Sequence, residues 1–229
     1  MPTIYAATTD RDMFTGPNSS WSAVRDASTG TLGGSASDAS ESFAAGAAIF
    51  SGRGASTYKV WRSFFHFDTS GITGTLSAGT LKLYFSNDAG NGNIIIIKSD
   101  AFTGGSDALV SADFNNLDFS TPYSAEVDTT STGLTSITLN ATALADIKNN
   151  NDFKFAVVNY EYDYNDTAPS SGSNYVGIRF ANYSGTSSDP QIDYTVQTGY
   201  ANDVIGVATG SIGKVNGVAT ASIEKVIGV

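Results

Sequence analysis

Cysteine is absent and histidine occurs once, at His66. Disulfides therefore contribute nothing to the fold, and the Cys/His ligand sets of zinc sites cannot be assembled. Basic residues are scarce: 12 Lys and Arg stand against 22 Asp and Glu, for a net charge of -10. Nucleic acid and anionic membranes, which attract clustered Lys and Arg, are not expected partners. Long apolar runs are missing as well. The longest purely aliphatic stretch, residues 94–97, is far short of the roughly 20 residues that span a bilayer. Residues 1–7 lack the basic segment and apolar run of a secretory leader, so synthesis in the cytoplasm is the expectation. No G-x-S-x-G elbow accompanies His66. With no activated nucleophile in view, His66 is expected to be a strand residue on the less buried face, and no catalytic site is expected.

What the chain does have is glycine, 24 residues of it, mixed with Ser, Thr and Asn between short apolar segments. Alternating or β-branched runs predict strands over residues 3–7, 43–50, 59–68, 79–86, 94–101, 135–139, 153–160, 175–180 and 191–197. The stretch 140–150 opens on Asn140 and places Leu144, Ala145 and Ile147 at helical spacing, which predicts one short helix. A shorter turn of helix is read at 112–117. Residues 15–42 are poor in apolar side chains and are expected to form a long loop or irregular strand with Trp21 as its packing anchor, and 87–93 reads as a hairpin turn. The fold class expected is all-β: an antiparallel β-sandwich or jelly roll with one short helix and a C-terminal extended repeat tail. Its divisions are a sandwich domain over 1–197, a linker over 198–203 and an anchoring tail over 204–229.

The tail repeats itself. Aligning residues 203–213 with 214–224 and then with 225–229 superposes Val204/Val215/Val226, Gly206/Gly217/Gly228, Val207/Val218/Val229 and Ile212/Ile223 at a period of eleven. An eleven-residue period suits a right-handed coiled coil, but the recurring glycines beside β-branched residues oppose helix by roughly 0.5–1 kcal/mol per position. Strands over 204–208, 214–219 and 225–229 are expected instead. Each unit carries about four apolar side chains, too few to offset an ordering entropy of roughly 1–2 kcal/mol per residue. The tail therefore needs a partner to pack on, as in strand addition to a sheet edge. Its docking residues are Val204, Ile205, Val207, Ile212, Val215, Val218, Ile223, Val226 and Ile227.

One polar stretch carries candidate ligand chemistry, Tyr160-Glu161-Tyr162-Asp163-Tyr164-Asn165-Asp166. If it is extended, Tyr160, Tyr162 and Tyr164 share one face and can stack on sugar rings, while Glu161 and Asp163 lie on the other and, with Asp166, can offer oxygen ligands to calcium. The competing reading is a solvated strand with half-buried tyrosines. An EF-hand loop is ruled out, since its glycine and terminal glutamate are missing.

The segment RSFFHFDTSGITGTLSAGTLKLYF, residues 62–85, resembles the DNRLRE-type β-sandwich domains. Phe67, Asp68, Thr69 and Ser70 match a Phe-Asp-hydroxyl strand end, Ile72 the following loop, and Leu81, Leu83 and Tyr84 the next strand, with Gly79 where the family usually has alanine. Residues 137–147 and 188–196 resemble the family's stretch leading into a short helix and its closing strand. The resemblance implies a sandwich that serves as a surface or binding module, in some members with affinity for polysaccharide. The tail, over residues 214–229, is similar to C-terminal repeats of tailed-phage virion proteins. Together the two resemblances imply a non-enzymatic virion structural protein of the head-decoration, fibre or tail-appendage kind. It would be exposed on the particle surface, be synthesised in the host cytoplasm, form a homo-oligomer, and dock through its tail on other capsid or tail proteins. A host-surface glycan is the further partner this implies. The alternative is a carbohydrate-binding or adhesive module of a bacterial surface protein.

Overall fold

Period-two patterning dominates residues 1–197, and in the computed structural model, which describes residues 1–33, 40–197, 214–215 and 218–219, it produces twelve strands. They are β1 (Thr3–Tyr5), β2 (Arg11–Asn18), β3 (Thr31–Leu32), β4 (Ser40–Phe50), β5 (Thr57–Asp68), β6 (Leu76–Ala89), β7 (Ile94–Ser99), β8 (Leu117–Pro122), β9 (Gly133–Thr138), β10 (Asp152–Asn159), β11 (Ser173–Arg179) and β12 (Gln191–Val196). Helix α1 (Trp21–Arg25) follows β2, and helix α2 (Ala141–Asn149) follows β9. The strands run in the order β1-β12-β6-β11-β4-β5-β10-β7-β8, with β2 on β5, β3 on β2 and β9 on β6. All pairings are antiparallel.

Strand β5 is where the sheet folds over. Its first half, Thr57 to Trp61, pairs with β4, its second half, Ser63 to Asp68, pairs with β10, and β2 runs along Tyr58 to Phe64. The two wings close on a common core, and alternation fixes which residues enter it. Phe65 and Phe67 of β5, Phe153, Phe155 and Val157 of β10, and Ile94 and Ile96 of β7 meet Leu81, Leu83 and Phe85 of β6, Val176 and Ile178 of β11, and Ile192 of β12. The sequence expectation that the β5 and β6 signature strands face each other across a core is met, since β5 and β6 are not hydrogen-bonded neighbours. Helix α2 closes one side with Ala143 and Ile147. Asn140 caps it, accepting from Ala143 N at 3.0 Å while donating from Nδ2 to Pro122 O at 2.7 Å. Asp68 ends β5 as expected, accepting from Ser70 N at 2.9 Å.

The other face of the β5-β10-β7 wing is buried too. Val60, Phe64, Ala156, Val158, Ile95 and Ile97 form a second core with Met13, Val24, Phe102 and Phe114. This overturns two expectations. His66 is not on a lightly buried face but is 8% exposed, because the 100–116 connection covers it. Residues 15–42 are neither one long loop nor one irregular strand. They contain the end of β2, then α1, capped by Ser20, then β3 and the start of β4, although Trp21 does pack as an anchor, edge-on to Tyr58 at 5.8 Å. A third correction concerns 87–93: β6 and β7 do not pair, so this segment crosses between the two wings rather than turning a hairpin.

In the tail, Lys214–Val215 (β13) pairs with Val218–Ala219 (β14) in a separate two-stranded sheet. Within the expected strand 214–219 the described residues are thus two short strands paired with each other.

The two-face burial sets a ranking of stabilities. Phe67→Ala and Leu83→Ala each empty a fully buried site in the shared core and are expected to cost about 2–5 kcal/mol. His66→Ala is expected to cost less, since its partner Asp152 has a side chain 34% exposed and can rehydrate. Thermal melts of the three variants decide this, and His66→Ala as the worst of them would contradict the assignment of the strand faces.

Candidate functional site

The segment expected to be an extended acidic-aromatic strand is a π-helical turn, Tyr160–Tyr164. Asn159 initiates it by accepting from Tyr162 N at 2.9 Å, and the i+5 bonds Asn165 N to Tyr160 O and Thr167 N to Tyr162 O, at 3.1 and 3.0 Å, hold it. The tyrosines consequently do not form a row. Tyr160 and Tyr164 stack on each other at 5.7 Å beside the second core, while Tyr162 is placed apart, its hydroxyl accepting from Asn91 Nδ2 at 3.3 Å.

The calcium expectation fails on the same geometry. Asp163 is fully buried, with its oxygens taken by Arg62, itself fully buried: Nε donates to Oδ2 and Nη2 to Oδ1, both at 2.8 Å. Asp166 is exposed and accepts from Trp21 Nε1 at 3.0 Å, with Arg25 Nε 3.4 Å away, and Glu161 is exposed. The positive charge at this place is therefore supplied by two arginines. Among the described residues no three His, Asp or Glu side chains gather to hold a metal ion. Arg62 also donates to Phe114 O at 2.9 Å and Arg25 O at 2.7 Å, and its guanidinium lies 4.2 Å from the Phe114 ring centroid. The cluster clamps α1, β5, the 3-10 turn Ser111–Asn115 and the π turn together.

Of the tail residues, Val215 and Val218 stand opposite each other in the β13–β14 register. Val204, Ile205, Val207, Ile212, Ile223, Val226 and Ile227 lie outside the described residues, as does the linker 198–203.

A site that sequence reasoning missed opens where β7 ends and β10 begins. A cavity of about 310 Å³ is lined by Lys98, Ser99, Asp100, Tyr123, Asn150, Asp152, Phe153 and Lys154. Both of its lysines are paired with carboxylates: Lys98 Nζ with Asp146 Oδ2 at 3.0 Å, and Lys154 Nζ with Asp152 Oδ2 at 3.0 Å. The Tyr123 hydroxyl donates to the same Asp146 oxygen, and His66 Nε2 contacts Asp152 Oδ1. Burial and then the Asp146 carboxylate push the Tyr123 hydroxyl well above the ordinary tyrosine range, and the bond to Asp146 raises the Lys98 ammonium. The rings of Tyr123 and Phe153, 5.1 Å apart and both buried, complete the lining. Behind them His66 packs on Phe102 at 5.5 Å. Phe102 holds φ 64, a conformation bulky side chains rarely adopt, kept in place because its N–H donates to Asp113 Oδ2 at 3.0 Å. Asp113 is fully buried and also accepts from the backbone N–H groups of Thr103 and Val110, from Thr103 Oγ1 and from Asn116 Nδ2.

An aromatic surface lies elsewhere, across β4, β5 and β11. Phe43, 38% exposed, stacks on Trp61 at 5.1 Å and meets Tyr175 at a tilt with centroids 4.1 Å apart, and Lys59 Nζ sits 3.8 Å from the Phe14 ring centroid. Gly46 between Trp61 and Tyr175 is required there, since a Cβ would come within 2.6 Å of Tyr175 Cβ.

Burial leaves its clearest electrostatic mark on Asp10. Both its oxygens face Ala181 N–H, at 3.0 and 3.3 Å, and among the described ion pairs none includes Asp10 or its buried neighbour Asp189. Desolvation pushes the Asp10 carboxyl up to about 8, with Asp189 adding a smaller push. The native value thus exceeds the unfolded value near 3.9, and the native state binds the extra proton. This contribution to stability is complete below about pH 4 and declines as pH rises toward about 8. Urea midpoints of the wild type should carry that decline, and Asp10→Asn should remove it. Identical slopes in the two proteins would show that Asp10 is ionised in the native state.

Compared with known proteins, the chain matches no family model and no curated sequence.

Proposed function

We propose that this chain is a non-enzymatic structural protein of a bacteriophage particle, in which the sandwich is displayed at the surface and the repeated tail docks on a capsid or tail protein. The observation that carries this reading is the eleven-residue repeat of residues 203–229, rich in Val and Ile yet without enough apolar surface for a core of its own. Two structural features support it. Among the described residues, those of both sandwich cores and those packed on them fall between Ile4 and Val196. The β13–β14 pair forms its own two-stranded sheet, a unit at best marginally stable alone in water. Strands β13 and β14 gain stability by pairing with neighbours, and identical copies side by side provide them, which favours an oligomer.

The test is mass spectrometry of purified particles. The chain in fixed ratio to the major capsid or tail proteins is the expected result, and its recovery only from the bacterial cell surface would favour an adhesive bacterial module instead.

A further inference from the structure

We infer that Asp10 and Asp189 are ligands of a calcium ion that ties the β1–β2 turn to the connection between β11 and β12, a place distinct from the run Glu161, Asp163 and Asp166. The inference rests on this pair and its surroundings and holds whatever the tail docks on. Two segments meet here. Ala6 N–H donates to Pro190 O at 2.9 Å, Asn182 Nδ2 donates to Thr8 O at 2.9 Å, and Ala181 N–H faces both oxygens of Asp10. Asp10 is 2% exposed and Asp189 9%, and Asp189 is close enough for its charge to act on Asp10. The charges have no counterpart. Among the described ion pairs none includes either residue, and Asp189 Oδ1 is buried with no hydrogen-bond partner at all. Thr9 Oγ1, next to Asp10 in the chain, is likewise buried and unpartnered. Buried carboxylates are normally paired or bound to a metal, and a buried oxygen without a partner marks the place of a missing one.

Charge and donor type select the ion. Water would hydrogen-bond these oxygens but leave both carboxylates uncompensated, and a monovalent cation would leave one of them so, whereas a divalent cation balances the pair. The donors are oxygens only. The chain has no cysteine, and its one histidine contacts Asp152, so the nitrogen and sulfur ligands that zinc and copper prefer are missing. Magnesium demands a near-ideal octahedron and gives up its waters reluctantly, while calcium accepts six to eight oxygens in irregular geometry, backbone carbonyls among them. Two loops fit the second description. Thr9 Oγ1, carbonyls of the two segments and water complete the set around the carboxylates. Calcium requires Asp10 ionised, so the decline in stability with pH expected of Asp10 belongs to the metal-free chain.

The experiment is calorimetric titration of the full-length chain, stripped with EDTA and dialysed free of it, with calcium chloride and separately with magnesium chloride at matched ionic strength. One saturable calcium per chain is expected, bound more tightly than magnesium, with amide chemical-shift changes gathered on residues 8–10 and 181–189. The melting temperature should rise with calcium concentration, as binding to the folded state alone requires. Asp10→Asn and Asp189→Asn each remove one charge at nearly constant size and should each weaken calcium about tenfold or more, since affinity follows the number of charged ligands. Asp166→Asn should leave it unchanged. No calcium binding, shifts centred on 160–166 or 214–219 instead, magnesium bound as tightly as calcium, or full calcium affinity in both Asp10→Asn and Asp189→Asn would each overturn the assignment.

Discussion

Replacing Arg62 by methionine is expected to cost about 3–5 kcal/mol of folding stability, among the largest losses from any single substitution in the chain. The reason is the imbalance it creates rather than the pair it removes. Asp163 has no solvent exposure, and its two oxygens accept from Arg62 at 2.8 Å each. Without the guanidinium it becomes a buried carboxylate that must either ionise unpaired or take up a proton. Phe114 O and Arg25 O lose their donor at the same time. The double variant Arg62→Met/Asp163→Leu should recover much of the loss, because an apolar pair of similar volume avoids desolvating two charges. Denaturant unfolding of the wild type, both single variants and the double variant completes the cycle. Additive losses in the double variant would show that the clamp is not a coupled unit.

Much of the sandwich was legible because its strands alternate and one face of each is apolar. Phe65/Phe67 and Leu81/Leu83/Phe85 could be assigned to one core from spacing alone, Asn140 announced α2, and Asp68 announced its turn. What stayed hidden is the second core. Arg62 looks like a surface residue in sequence, and its partner is 101 residues away, so nothing local marks either as buried. Strand β2 was missed because Gly16 and Pro17 read as loop, although Met13 supplies a fully buried side chain. The acidic-aromatic run 160–166 misled through its own regularity. A strict alternation of Tyr with polar residues has strand periodicity, yet the Asn159 side chain offers the backbone a competing hydrogen bond and the chain turns. The cavity at Lys98 and Lys154 was not legible at all, since its residues come from β7, α2's C-cap, β10 and the connection after β8, brought together only by strand order.

Removing residues 198–229 is expected to leave the sandwich folded and to abolish its assembly. Among the described residues both cores and the residues packed on them end at Val196, and β1 still pairs with β12 through Thr3↔Asp193, Ile4↔Ile192 and Tyr5↔Gln191. The melting temperature should therefore be close to that of the full chain. Association should change much more. If Val207, Ile212, Val215, Val218 and Ile223 are buried on docking, each contributes roughly 1.5–3 kcal/mol of gross apolar stabilisation. Losing several of them outweighs the net affinity of most complexes.

The most direct measurement follows from that deletion. Particles assembled in cells making only the chain truncated after Gln197 are purified, and the ratio of this protein to the major structural proteins is compared with that of particles carrying the full chain. Folded, soluble truncated protein that is missing from the particles is the predicted result, and incorporation at the normal ratio would contradict the anchoring role of the tail.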